Sequence, residues 1–159
     1  MNLCPFAKAV HARQQIRYFV SEAPSEAELR ADLERELEFL AHADPEAVDT
    51  TLLIHPRALT EFDAYNRFLG EADALLRNLG LEGVLQIASF HPDYQFADSA
   101  PDAIENYSNR SPYPMLHLLR EASIDRAVLA FPDASAIYGK NILTLRSLGH
   151  DGWNALWHD

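Results

Sequence analysis

Apolar positions along this chain repeat with two periods, and the changes between them mark out its elements. Residues 5–13 read as a short helix, and Ile16-Arg17-Tyr18-Phe19-Val20 has the β-branched and aromatic character of a strand. Ser25 and Glu28 have capping-box spacing, and Leu29, Leu33, Leu37 and Leu40 follow at helical intervals. Thr50-Thr51-Leu52-Leu53-Ile54 reads as a buried strand that stops at His55-Pro56. Phe62, Tyr65, Leu69, Ala72, Leu76 and Leu79 then line one face of a long helix, with Gly80 placed to end it. Residues 84–89 read as a third strand, again closed by a His-Pro pair, His91-Pro92. Beyond a long loop, Pro114 suits a first helical turn, and Met115, Leu118, Leu119 and Ala122 continue as the apolar ridge of a helix. A last helix is expected over 134–148, capped by Asp133 and stopped by Gly149, with one more turn in the tail at 153–157.

Strand–helix–strand–helix–strand order with crossovers of this length predicts an α/β fold. The expected architecture is a single-domain sandwich over residues 1–159, with a small, mostly parallel sheet and flanking helices. The alternative is an α+β mixed sheet in which one strand runs antiparallel. A chain of 159 residues is long enough to bury a real core, and no repeat or low-complexity linker divides it.

Charge narrows the partners. The formal net charge is −11, which repels phosphate backbones, so nucleic acid is not an expected partner. Residues 22–49 hold ten Asp or Glu against two Arg and read as a solvated acidic helix face. Arg110, Arg120 and Arg126 fall elsewhere, where a locally positive pocket would favour a small anion. No apolar run approaches the roughly 18 residues that span a bilayer, so no membrane is expected. The first residues carry neither a charged nor an apolar signal region, and one cysteine makes no internal disulfide, which fits a cytoplasmic protein. Cys4 reads as a small buried hydrophobe rather than a reactive thiol.

The densest chemistry lies at residues 91–121, where two histidines, two asparagines, two arginines and three tyrosines gather. If the strands are parallel, His55 and His91 leave the same sheet edge, the one where open α/β sheets bind ligands. On a helix from Pro114, His117, Arg120 and Glu121 would project from a face other than the apolar ridge. Glu121 would then orient His117 and raise its pKa, making His91, His117 and Glu121 the acid/base candidates. Arg120 is suited to a bidentate grip on an anion. Asn106, Asn109, Arg110 and Ser111 precede that expected helix, where an N-terminus offers free N–H donors, and with His55 they complete the expected ligand-binding set. Either Asn109 or Ser111 serves equally well as a plain helix cap. The loop 92–111 is far longer than an ordinary connection, yet Tyr94, Phe96, Ile104 and Tyr107 argue that it is ordered.

His55, His91 and His117, with Glu121 or Asp93, are ligand types that zinc, iron or manganese accept. Their spacing matches no compact metal motif, so the cofactor question stays open between a transition metal and none. No phosphate-binding glycine loop, nucleophile elbow or dinucleotide fingerprint is present among the six glycines.

Cys4-Pro5-Phe6-Ala7, Thr51-Leu52-Leu53-Ile54-His55-Pro56, Gln86-Ile87-Ala88-Ser89-Phe90-His91-Pro92 and above all the run from Asn109-Arg110-Ser111-Pro112-Tyr113-Pro114 through Met115-Leu116-His117-Leu118-Leu119-Arg120-Glu121 carry a family resemblance. Over essentially its whole length the chain resembles a bacterial family of uncharacterised proteins, domain of unknown function 1415. The resemblance supports the location of the site and implies no activity. Members of that family usually carry an apolar, tryptophan-containing helix ahead of Cys-Pro-Phe, whereas only Met1, Asn2 and Leu3 precede it here. The chain is therefore expected either to be shortened or to manage without that helix, and a shortened chain would expose an apolar patch that favours a homodimer.

Three readings follow. One is a small enzyme acting on an anionic molecule through a His/Arg/Asn pocket. Another is a binding module that uses the same pocket without turnover. The third is an interaction protein in which residues 109–121 are a buried polar network. Neither the substrate nor the reaction class is written in the sequence.

Overall fold

The computed structural model describes residues 5–130 and 134–156; the expectations for Cys4, the residues before it, the Asp133 cap and Trp157 lie outside them. Helix α1 (Pro5–Ala12) leads into β1 (Ile16–Val20), then α2 (Glu26–His42), β2 (Thr50–Ile54), α3 (Phe62–Asn78) and β3 (Leu85–Phe90). A 3₁₀ turn (Ile104–Ser108) lies in the long loop that follows, ahead of β4 (Met115–Arg120), α4 (Glu121–Ala130) and α5 (Ala134–Ala155).

The sheet order is β1-β2-β4-β3. β1 pairs parallel with β2, whereas β4 pairs antiparallel with both β2 and β3. The fold is α/β with a mixed sheet, the alternative foreseen from the sequence; the mostly parallel pairing gives way because β4 slots between β2 and β3. β1, β2 and β3 still point the same way.

The largest departure is at residues 115–120, expected as a helix and found as the central strand. Leu116, Leu118 and Arg120 are buried on one face of it, while Met115, His117 and Leu119 alternate onto the other. A central strand is apolar on both faces, so Met-Leu-His-Leu-Leu fits a helical ridge as well as a two-sided strand. Pairing with β2 and β3 decides it.

Helices α2 and α3 cover one face of the sheet. Leu29, Leu33, Leu37 and Leu40 of α2 and Tyr65, Phe68, Ala72, Leu75 and Leu76 of α3 meet Leu53, Leu85, Leu116 and Leu118 in the core. Each fully buried Leu or Phe is worth on the order of 2 kcal/mol. Ser25 caps α2 as its spacing predicts, accepting the Glu28 N–H. The acidic face of α2 is not wholly solvated: Glu36 is buried and takes a two-pronged bond from Arg17, at 2.7 and 3.0 Å.

Candidate functional site

The loop from β3 to β4 is closed at its base by backbone and side chain together. His91 donates its amide to the Asn109 carbonyl (3.2 Å), and the Asn109 Nδ2 donates to the Ser89 carbonyl (3.1 Å). Asn106 is fully buried at the centre. Its Oδ1 accepts from the Phe96 amide (3.0 Å) and the Ser99 hydroxyl (2.6 Å), and its Nδ2 donates to the Ala100 carbonyl (2.8 Å). A buried amide satisfied on both sides is what holds so long a loop in one conformation. Asn106 and Asn109, expected to meet ligand, spend these bonds on the loop itself.

His55 and His91 do emerge from the same sheet edge, because β2 and β3 are co-directional. Both are fully buried, and each packs against the Tyr65 ring, with centroids 5.9 and 5.0 Å away. His91 donates from Nε2 to the Leu59 carbonyl (3.2 Å) and accepts the Asp93 amide at Nδ1 (3.0 Å), which fixes its neutral tautomer. His55 donates from Nδ1 to the Ala58 carbonyl (2.9 Å), and its buried Nε2 has no partner. Burial lowers the pKa of both. The segment they grip contains Leu59 at φ 55°, a left-handed conformation that is rare for leucine and is held here by the two imidazoles. No group of three or more His, Cys, Asp or Glu among the described residues is placed to hold a metal ion.

His117 lies apart from that pair, on β4. Its Nε2 donates to the Thr50 hydroxyl (2.8 Å), because Thr50 itself donates to the Leu118 carbonyl (2.6 Å). Burial drives its pKa down to about 4, opposite to the rise expected from a carboxylate partner. With residue 117 in a strand, the helical spacing to Glu121 disappears. Glu121 instead opens α4, where a negative charge suits the N-terminal dipole, and its amide bonds the Val84 carbonyl.

Arg120 and Arg110 stand at opposite ends of β4 and its approach. The strand alone spans five residue steps, about 17 Å. Arg120 is buried and donates through Nη2 to the carbonyls of Ala43 and Val48, at 2.8 and 3.1 Å, where it caps the end of α2. Its Nε is buried without a partner.

Arg110 takes a different part. It leans over the Tyr107 ring, 4.3 Å from the centroid, and is steadied by bonds from Nη2 to the Pro101 carbonyl (2.7 Å) and from Nε to the Tyr94 carbonyl (3.3 Å). It lines a cavity of about 290 Å³ with Pro92, Tyr107, Ser111, Pro112 and Trp153. Ser111 donates to the Tyr113 carbonyl at 2.6 Å. Two of the guanidinium donors serve the backbone, and the rest of the fork stays available.

The far wall comes from α5, which sequence reasoning left out of the site. Gly149 (φ 64°, ψ 177°) interrupts α5, a conformation open chiefly to glycine, so the turn foreseen for the tail folds back onto the loop. Trp153 and His150 then meet the Tyr107 ring edge-on, at 5.4 and 5.2 Å, and Arg146 pairs with Glu105. A tryptophan four residues past a helix-stopping glycine was the signal available.

Among the sequence-derived candidates, then, Arg110 and Ser111 share one cavity, His55 and His91 share an aromatic cluster, and His117, Glu121 and Arg120 fall elsewhere. No helix among the described residues is long and apolar enough to cross a membrane. No curated protein and no solved structure matches the chain. The match is to a family model described as protein of unknown function (DUF1415), which covers residues 1–155, and the chain belongs to that family.

Proposed function

We propose that this protein is a cytoplasmic binding module for a small anion that carries a planar group, seated between Arg110, Tyr107 and Trp153. The observation that supports this most is the composition of the 290 Å³ cavity: one guanidinium, a serine hydroxyl and a tyrosine phenol, a second aromatic ring and two prolines, with no carboxylate, histidine, lysine or cysteine among its described lining residues. Such walls supply charge, hydrogen bonds and stacking, and beside the Tyr107 phenol they offer no carboxylate or imidazole to act as its base. Arg110 is braced by two carbonyls and a ring, so little ordering cost falls on ligand binding. The acidity of the remaining chain keeps polyanions away.

The test is isothermal titration with phenyl phosphate, benzoate and inorganic phosphate. We expect saturable binding of the aromatic anions, stronger than of phosphate, with quenching of tryptophan fluorescence. Arg110→Gln should weaken it at least tenfold and His117→Gln should leave it unchanged. Absence of binding to any of the three, or binding indifferent to Arg110, overturns the reading. Turnover of phenyl phosphate that depends on a histidine would overturn it in favour of the enzyme reading.

A further inference from the structure

We infer that His91 is a pH-operated latch on the Arg110 cavity, closed while its imidazole is neutral and released when acid protonates it. The inference rests on the anion-binding reading of that cavity and names how the site is regulated. Pro92 forms part of the cavity wall, and in the chain it lies between His91 and Asp93. That tripeptide is closed into a local turn, because the Asp93 amide donates to the His91 Nδ1 at 3.0 Å. The next amide, that of Tyr94, donates to the His91 carbonyl at 3.1 Å. The Tyr94 carbonyl is in turn one of the two that brace Arg110. One imidazole thus holds a wall of the cavity directly and its guanidinium through a single further residue.

Only one ring nitrogen of His91 is open to a proton. Nε2 already carries one, donated to the Leu59 carbonyl at 3.2 Å, and keeps that bond in either state. Nδ1 holds the lone pair that accepts the Asp93 amide. A proton there sets N–H against N–H, so the bond to Asp93 is lost and the turn opens. Pro92 and the Tyr94 carbonyl are then held less firmly, and the cost of ordering Arg110 falls on the ligand. The titratable groups facing His91 are His55 at the end of β2, Glu61 and Tyr65 at the start of α3, and Asp93 in the loop, with Tyr94 one ring further across Phe62. Burial lowers the His91 pKa from its ordinary 6.5, against the pull of the Leu59 bond and of the carboxylates of Asp93 and Glu61. His55 competes poorly for the proton, because its free Nε2 is buried with no partner to receive a new N–H. The latch is therefore closed at neutral pH and opens as the pH falls below about 6.5. Acid acts in the opposite sense at His150, 5.2 Å from the Tyr107 ring, where added charge would draw an anion in.

Titration of the full chain with benzenesulfonate, from about pH 7.5 to about pH 5, tests the latch, since a sulfonate keeps its charge throughout. The comparison is with His91→Asn, whose Oδ1 can accept the Asp93 amide but takes no proton. Relative to that variant, which cancels the contribution of His150, wild-type affinity should fall at least threefold over the range. His117→Gln, whose side chain does not line the cavity, should keep the wild-type fall. If circular dichroism shows His91→Asn unfolded, the His91 ring is titrated by NMR in the wild type instead. Saturating benzenesulfonate should then lower its midpoint by at least about 0.5 pH unit, because linkage is reciprocal. Binding at neutral pH that loses no more affinity in the wild type than in His91→Asn, or a His91 midpoint indifferent to ligand, overturns the latch and leaves the anion-binding reading standing. No binding at neutral pH overturns that reading and the latch with it.

Discussion

Phe90 and Met115 face each other across the β3–β4 pair, and the Tyr65 hydroxyl joins the amide of one to the carbonyl of the other. It accepts from Phe90 N–H at 2.9 Å and donates to Met115 C=O at 2.8 Å. A side chain from α3 thus ties together the strand that leads into the long loop and the strand that leads out of it. Desolvation holds the phenol pKa well above its usual value, so the hydroxyl keeps its proton.

Tyr65→Phe removes both bonds without opening a cavity and leaves a buried N–H and C=O exposed to their desolvation cost. The expected loss is about 2 kcal/mol, read as a lower urea midpoint with an unchanged slope. A loss below about 0.5 kcal/mol would show that the ladder closes without the phenol.

Asn106 should matter more. Asn106→Ala strands the Phe96 amide and the Ala100 carbonyl inside the loop and leaves the Ser99 hydroxyl only the Phe96 carbonyl, at a cost of about 2–4 kcal/mol. Asn106→Asp keeps the acceptor but loses the Nδ2 donor and buries a charge, so it should be no milder. Amide exchange then reports where the damage falls: faster exchange confined to residues 92–111 fits a loop-holding role, whereas uniform acceleration would place Asn106 in the global core.

Arg120→Met separates the two arginines. With the guanidinium gone, the carbonyls of Ala43 and Val48 lose their donor, and stability should fall by about 2–3 kcal/mol. Anion binding at Arg110 should be unaltered in the folded variant. An unchanged melting curve with weakened binding would move Arg120 from the end of α2 to the ligand.

Stability should also respond to acid through the histidines. In the folded chain, burial holds the pKa values of His55, His91 and His117 below their unfolded value near 6.5, that of His117 at about 4. Below pH 6.5 the unfolded chain binds protons that the native chain refuses. The stabilisation from neutral His117 is therefore complete above about pH 6.5 and is lost progressively as the pH falls to about 4, in total on the order of 3 kcal/mol. Urea midpoints at pH 7, 5.5 and 4.5 check it. His117→Gln, which keeps a donor for Thr50, should flatten the dependence, and an equal slope in both proteins would refute the assignment.

Much of this architecture was legible because local signals agreed with burial. The four leucines of α2 repeat at helical spacing and are all fully buried, and Ser25 caps that helix as its spacing to Glu28 predicts. The strands β1 and β2 were read at their observed limits, and β3 within one residue. The candidate site was legible only in part. The loop was marked by its unusual density of polar and aromatic residues, and Arg110 and Ser111 line its cavity. Asn106 and Asn109 looked like ligand groups because a hydrogen-bonding amide reads the same in a sequence whether it faces solvent or backbone.

The sequence by itself determined the periodic elements, the stop at each His-Pro pair, the net charge and the family to which the chain belongs. Tertiary structure alone decided that residues 115–120 are a strand, since an apolar run on both faces acquires its period from its neighbours, β2 and β3. That one choice moved Arg120 to the end of α2, parted His117 from Glu121 and left Arg110 as the guanidinium of the cavity. Tertiary structure likewise set Trp153 against Tyr107 across 46 residues of chain, a contact that follows the turn at Gly149. Spacing along a chain predicts contacts within an element; contacts between elements depend on which faces bury together.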